Sequence, residues 1–166
     1  MRRKRSPTHP AARQPRQGRR VADESRGKLA EIAGCPRCEA SYRDGRWTWK
    51  PAPAGAYEQV CPACERIAQH YPAGVLRIEG RSTRAQRGDW IGLVENVEER
   101  EREEHPLKRV MSIEEEPRAV VVETTDARLA ADLGRALHRA YGGRLELPPT
   151  TSDVENLARV RWIVDS

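Results

Sequence analysis

Every cysteine of the chain falls in one of two copies of the same short pattern, Cys35-Pro36-Arg37-Cys38 and Cys61-Pro62-Ala63-Cys64. A two-residue spacer lets one tight turn aim two sulfurs at a single ion, and two such turns complete the tetrahedral four-thiolate shell that zinc accepts. The 22 residues between Cys38 and Cys61 slightly exceed the usual spacing of roughly 15 to 20, leaving room for a hairpin and a loop. The pattern predicts a zinc ribbon with Cys35, Cys38, Cys61 and Cys64 as ligands of one structural ion. A closed shell has no open position for water, so the ion's task is architectural rather than catalytic. Four thiolates around a dication carry a surplus of negative charge, and Arg37 and Arg66 stand beside the knuckles to offset it.

Other uses of the same cysteines remain open. A redox Cys-Pro-x-Cys needs one pair on a strand-to-helix junction with a depressed thiol pKa, and leaves the second copy idle. A disulfide framework needs an oxidising compartment, and no feature of the sequence points to export. Iron suits the same four sulfurs.

The rest of the composition allows only a modest core. Of 166 residues 37% are hydrophobic and none is Phe, and the mean hydropathy is −0.82. A segment of roughly 40 residues rarely buries enough apolar surface to fold unaided, so the metal is expected to supply what the ribbon's core cannot. Charge is unevenly placed. Residues 1–27 hold nine basic side chains against Asp23 and Glu24; as the whole chain is at +5, the remainder is near −2. The basic start is followed by Pro, Gln and Gly rather than an apolar stretch, which argues against a secretory leader. No apolar run is long enough to cross a bilayer. A cytoplasmic protein without membrane contact is expected.

Along the chain three parts are predicted: a disordered basic tail at 1–27, a zinc ribbon at 28–72 and an α+β domain at 73–166. In the ribbon, Ser41-Tyr42-Arg43 and Arg46-Trp47-Thr48-Trp49 flank Asp44-Gly45, a pair suited to a two-residue hairpin turn. Residues 56–60 read as a returning strand and 65–70 as a short helix. In the third part Val75–Ile78 reads as a strand and 82–104 as a helix with Trp90, Ile91, Val94 and Val97 at helical spacing. Strands follow at 109–113 and 120–122. A helix over 126–141 stripes Leu129, Leu133, Leu137 and Ala140 and stops at Gly142-Gly143. Two final strands lie at 144–147 and 159–164. The order β-α-β-β-α-β plus one strand predicts a ferredoxin-like, split βαβ domain, two helices on one face of an antiparallel sheet.

Residues for nucleic-acid contact come from two places. The tail offers Arg2, Arg3, Lys4, Arg5, Arg19 and Arg20. The ribbon offers Arg43, Arg46 and Lys50 beside Trp47 and Trp49, which share a face if one strand spans both; rings next to cations stack bases and hold phosphates. The same rings could instead form the ribbon's core. A further basic run, Arg77, Arg81, Arg84 and Arg87, lies at a strand-to-helix junction. The acidic stretch at 95–104 and the triplet Glu114-Glu115-Glu116 read as a solvated helix face and a charged loop. The four histidines lack ligand spacing, and no phosphate-loop or nucleophile motif occurs.

Taken together, the Cys-Pro-x-Cys ribbon, the segment through Val97-Glu98-Glu99-Arg100 and the helix from Thr125-Asp126-Ala127-Arg128-Leu129-Ala130 to Ala140-Tyr141-Gly142-Gly143 carry a resemblance. The chain resembles, over residues 34–164, the N-terminal zinc-binding region of the nonsense-mediated-decay and large-ribosomal-subunit export adaptor family. It looks like a small bacterial relative with one four-cysteine ribbon, where that family carries eight cysteines. Glu39 and Glu65 stand where a glycine often follows a knuckle. Export from a nucleus has no counterpart in a bacterium, so the resemblance implies contact with ribosomal particles or their RNA.

The expectation is thus a non-enzymatic, ribosome-associated zinc-ribbon protein that binds RNA. A protein-interaction adaptor with the ribbon as docking module, or a thiol redox protein, are the alternatives.

Overall fold

A computed structural model describes residues 32–149 and 157–164. The basic tail and its candidates Arg2, Arg3, Lys4, Arg5, Arg19 and Arg20 lie outside the described residues. Within them the chain is a mixed α/β structure with three helices and two mixed sheets.

The cysteine-bearing half is built from short pieces. Strands β1 (Ala33–Gly34), β2 (Ser41–Arg43), β3 (Arg46–Thr48) and β4 (Tyr57–Glu58) form a sheet of order β3-β2-β1-β4. The β2–β3 hairpin turns at Asp44 and Gly45, whose φ values of 50° and 81° are the left-handed pair that such a turn requires. β1 was not foreseen; it pairs antiparallel with β2 and parallel with β4. The returning strand is shorter than the predicted 56–60. Helix α1 (Pro62–Gln69) begins inside the second knuckle, earlier than expected, because Cys61 caps it and Pro62 takes the first helical position, where no backbone donor is needed.

The other half holds the main core. Strand β5 (Gly74–Glu79) leads to α2 (Arg84–Glu104), whose start is a capping box: the Thr83 hydroxyl accepts from the Gln86 amide, and the Gln86 side chain accepts from the Thr83 amide. Strands β6 (Val110–Glu116) and β7 (Ala119–Thr124) follow, then α3 (Ala127–Tyr141), β8 (Arg144–Glu146) and β9 (Ala158–Ile163). Leu76 and Ile78 of β5, Val120 and Val122 of β7, and Val160 and Trp162 of β9 meet Trp90, Val94 and Val97 of α2 and the Leu129, Leu133, Leu137 stripe of α3. Alternate strand residues and the helical stripes therefore close one apolar layer. At its centre Trp90 and Trp162 pack edge to face with ring centroids 5.3 Å apart.

Two expectations are corrected here. The larger sheet has the order β6-β7-β5-β9-β8, and β9 runs parallel to β5, so the sheet is mixed rather than antiparallel. The last strand enters between β5 and β8, which sends Val160 and Trp162 into the middle of the core instead of to its rim. The Glu114-Glu115-Glu116 triplet is the second half of strand β6, not a loop. β6 is an edge strand, where charged side chains are tolerated because one flank faces water.

The sheet face away from the helices bears a lattice of charges. Arg161 donates to Glu79 at 2.7 Å and Glu146 at 2.8 Å, and Arg77 to Glu79 at 2.9 Å and Glu116 at 2.7 Å. By register the same face carries Val75, Val121, Glu123, Ser112, Glu114, Arg159 and Ile163, and among the described residues no aromatic ring. It lacks the rings on which bases stack.

Candidate metal centre

The two knuckles meet. All four cysteine sulfurs lie within 4.8 Å of one another and can hold one metal ion. Cys38 Sγ and Cys61 Sγ are 3.7 Å apart. A tetrahedral ion with metal–sulfur bonds of about 2.3 Å sets its sulfurs about 3.8 Å apart, whereas a disulfide draws them to about 2.0 Å. An iron–sulfur cluster spreads its cysteines over several irons and needs a wider cage. The spacing suits one ion. It also gives the second knuckle a task, which the redox reading does not.

Backbone geometry aims the sulfurs. In the first knuckle the Cys35 amide donates to the Ala40 carbonyl at 2.7 Å and the Glu39 amide to the Cys35 carbonyl at 2.9 Å. Glu39 has φ 65°, the left-handed conformation in which glycine is cheapest, so the turn after this knuckle keeps its shape with a glutamate in place. The Cys61 amide donates to Cys35 Sγ at 3.3 Å and the Cys64 amide to Cys61 Sγ at 3.4 Å. Such N–H donors stabilise thiolates. Cys35, Cys61 and Cys64 are buried, with Cys38 half-buried beside Trp47, Val60 and Leu107.

The charge partner is a residue that sequence reasoning missed. Arg109, in the link between α2 and β6, is only 6% exposed. Its Nη1 donates to Cys64 Sγ at 3.3 Å, its Nη2 lies 4.0 Å from Cys61 Sγ, and its Nε donates to the Pro106 carbonyl at 2.8 Å. The Trp49 ring covers its guanidinium, 5.6 Å from the ring centroid. Among the described residues it pairs with no carboxylate. The residues expected in this role do something else. Arg37 reaches the Cys64 carbonyl at 3.5 Å rather than a sulfur, and Arg66 turns to the Tyr71 carbonyl and ring. A single arginine 45 positions beyond Cys64, amid many others, leaves no local signal; only its contact with the cluster distinguishes it.

The ribbon's candidate RNA ligands are divided by the fold. β3 ends at Thr48, so Trp47 and Trp49 are not held on one strand. Trp47 packs on the cysteine cluster and against Tyr42, 5.7 Å between centroids. Trp49 donates its indole N–H to the Arg102 carbonyl at 2.6 Å. Arg43 donates to Ser41 Oγ at 3.3 Å and to the Pro51 carbonyl, while Arg46 and Lys50 are exposed to solvent. The basic run from β5 into α2 is likewise split: Arg77 is engaged by Glu79 and Glu116, and Arg87 donates to the carbonyls of Glu116 and Pro117.

Without an ion the thiols differ sharply. Burial pushes Cys61 up to about 12, assisted by the neighbouring sulfurs of Cys64 and Cys38 and only partly opposed by the Cys64 amide. Cys64 is raised as well, by burial above all. Burial also acts to raise Cys35, but the amides of Cys61, Arg37 and Cys38 outweigh it and bring the thiol down to about 6. At neutral pH Cys35 is thus the ready thiolate, and Cys61 and Cys64 keep protons that an incoming cation must displace. Because metal binds the deprotonated forms, affinity rises with pH: by at least about two decades per pH unit between about 6 and the ordinary thiol value of 9.0, and more steeply below, where Cys35 is protonated too. Competition titrations against a chelating dye at two pH values check this; an affinity indifferent to pH contradicts it.

The chain matches no protein-family model, no curated protein and no solved structure.

Proposed function

We propose that the chain is a non-enzymatic zinc protein that binds RNA and associates with ribosomal particles. The observation that carries the metal half is the burial of Arg109 against sulfur. A guanidinium removed from water without a carboxylate costs several kcal/mol, roughly, unless an anion compensates it, and here the available anions are cysteine thiolates. Four thiolates crowded within 4.8 Å repel one another unless a cation sits among them. Zinc is the ion we assign, held by Cys35, Cys38, Cys61 and Cys64 in a closed shell with no position left for substrate. The described residues 32–72 then form a zinc ribbon, and those from 73 a split βαβ unit with one strand inserted into its sheet. A bound thiolate set belongs in a reducing compartment, the cytoplasm.

RNA is the partner that the charge distribution favours. Among the described residues the outer sheet face pairs its arginines with glutamates and bears no rings, so the surplus of basic residues at 1–27 supplies the attraction. Arg46 and Lys50, exposed on the ribbon, extend it. The ribosomal setting rests on the resemblance described above.

Salt titration tests the RNA reading directly. Each phosphate neutralised releases counterions, so binding to labelled single-stranded RNA should weaken by about two orders of magnitude from about 50 to 200 mM salt if the tail engages five or six phosphates. Removing residues 2–27 should abolish most of that dependence. Binding that ignores salt, or survives the deletion in full, removes RNA from the proposal.

A further inference from the structure

We infer that metal occupancy locks the cysteine-bearing half of the protein onto the α/β half through Arg109 and Trp49, so that the placement of the two halves follows the state of the ion. The inference rests on the metal reading above and adds a regulatory consequence to it.

Strands do not join the halves. β1–β4 form one sheet and β5–β9 another, with no pairing between them among the described residues. Polar contacts across the junction concentrate on two side chains. Arg109 of the α/β half donates to Cys64 and approaches Cys61. Trp49 of the cysteine-bearing half covers the Arg109 guanidinium, lies 6.0 Å from that of Arg102, and donates to the Arg102 carbonyl at the end of α2. Leu107, two residues before Arg109, packs on the cysteine cluster. The link that carries these groups is in turn fixed to the α/β core. The Arg109 amide donates to Thr125 Oγ1 at 2.9 Å, the Thr125 amide to the Arg109 carbonyl at 2.9 Å, and the Thr125 hydroxyl to the Leu107 carbonyl at 2.6 Å.

The sulfurs that accept from Arg109 belong to the second knuckle, whose position relative to the first is set by coordination to a common ion. Take the ion away and the knuckles keep only the Cys61 amide on Cys35 Sγ, the long Arg37 contact to the Cys64 carbonyl and the two-residue β1–β4 pairing. Arg109 is then a buried cation whose acceptors are the Pro106 carbonyl and a sulfur that no ion holds as thiolate. The inexpensive escape is to water. That movement uncovers the Trp49 face and strains the Leu107–Thr125–Arg109 link, while the Leu76, Val122, Leu133 and Trp162 core keeps its own packing. Coupling of this kind is reciprocal: whatever the ion contributes to the Arg109 contact, the contact contributes to ion affinity.

Hydrogen exchange on the full chain, zinc-loaded and chelator-stripped, reads this out. Stripping should speed exchange of the Arg109 and Thr125 amides by about tenfold or more, and leave Val120 and Val122 in β7 protected. Arg109→Gln at saturating zinc should reproduce the faster exchange, and its zinc affinity by dye competition should fall by the same factor, about tenfold. Equal exchange in the two wild-type states, zinc affinity unchanged by Arg109→Gln, or collapse of protection throughout β5, β7 and α3 on stripping each overturns the inference. Wild-type protein that takes up no zinc instead removes the metal reading, and this coupling with it.

Discussion

Cys61→Ser protein is expected to purify with far less than one equivalent of zinc and with its cysteine-bearing half unfolded, while the α/β half keeps its helices. Cys61 is fully buried, caps α1, accepts the Cys64 amide on its sulfur and donates its own amide to Cys35. Serine can imitate the cap. It cannot supply a thiolate, and three ligands hold zinc far more weakly than four. Structural zinc contributes apparent binding energies of roughly 10–16 kcal/mol in small zinc modules, and in such modules that energy is the folding energy. Here the alternative source is meagre: the buried cluster of this half is Cys35, Cys61, Ala63 and Cys64 themselves. Metal analysis together with hydrogen exchange over residues 33–69 makes the measurement. Stoichiometric zinc with native protection in the variant would sink the assignment.

Trp162→Ala should destabilise the α/β half by about 4 kcal/mol, within the range for removing a large aromatic side chain from a core. Trp162 is fully buried, packs edge to face on Trp90 and lies 6.1 Å from the Tyr141 ring. Its indole N–H donates to the Gly142 carbonyl at 2.8 Å, so the truncation also strips a partner from the C-terminal cap of α3. Urea unfolding followed by helix content measures the loss. The neighbouring Arg161→Ala is the informative control. Arg161 makes two close ion pairs, yet it sits on the solvent side of the same strand, where such pairs contribute little because water and salt screen them. A Trp162→Ala loss no larger than that of the control would mean that β9 does not lie inside the sheet, between β5 and β8.

Those two substitutions also separate what could be read locally from what could not. The hairpin at Asp44-Gly45 and the stop at Gly142 depend on neighbours a few residues apart and are legible in the sequence; the caps at Thr83 and Asp126 are equally local, yet the sequence expectations do not include them. Leu129, Leu133 and Leu137 declare a buried stripe by spacing alone and all three are buried, whereas Ala140, read on the same stripe, is exposed in the last turn of α3. Strand order has no such local mark. The alternation of Arg159, Val160, Arg161 and Trp162 shows which side of β9 faces the core, but a strand with that alternation fits a sheet centre as well as an edge. The acidic triplet at 114–116 misled for a related reason: composition describes the side chains, whereas β-pairing depends on the partner strand.

The same division runs through the metal centre. Spacing within each knuckle is a property of two adjacent turns, so the sequence by itself marked the four sulfurs that could form one ion's shell. What only the tertiary structure decided is how that shell is compensated and what it is attached to. Arg37 and Arg66 lie close in the chain but face a carbonyl and a ring. Arg109 lies far away in the chain and touches the sulfur. Coordination geometry is set over a few covalent bonds, whereas the compensation of a buried charge goes to whichever opposite charge the folded chain brings within contact, and sequence distance places no limit on that.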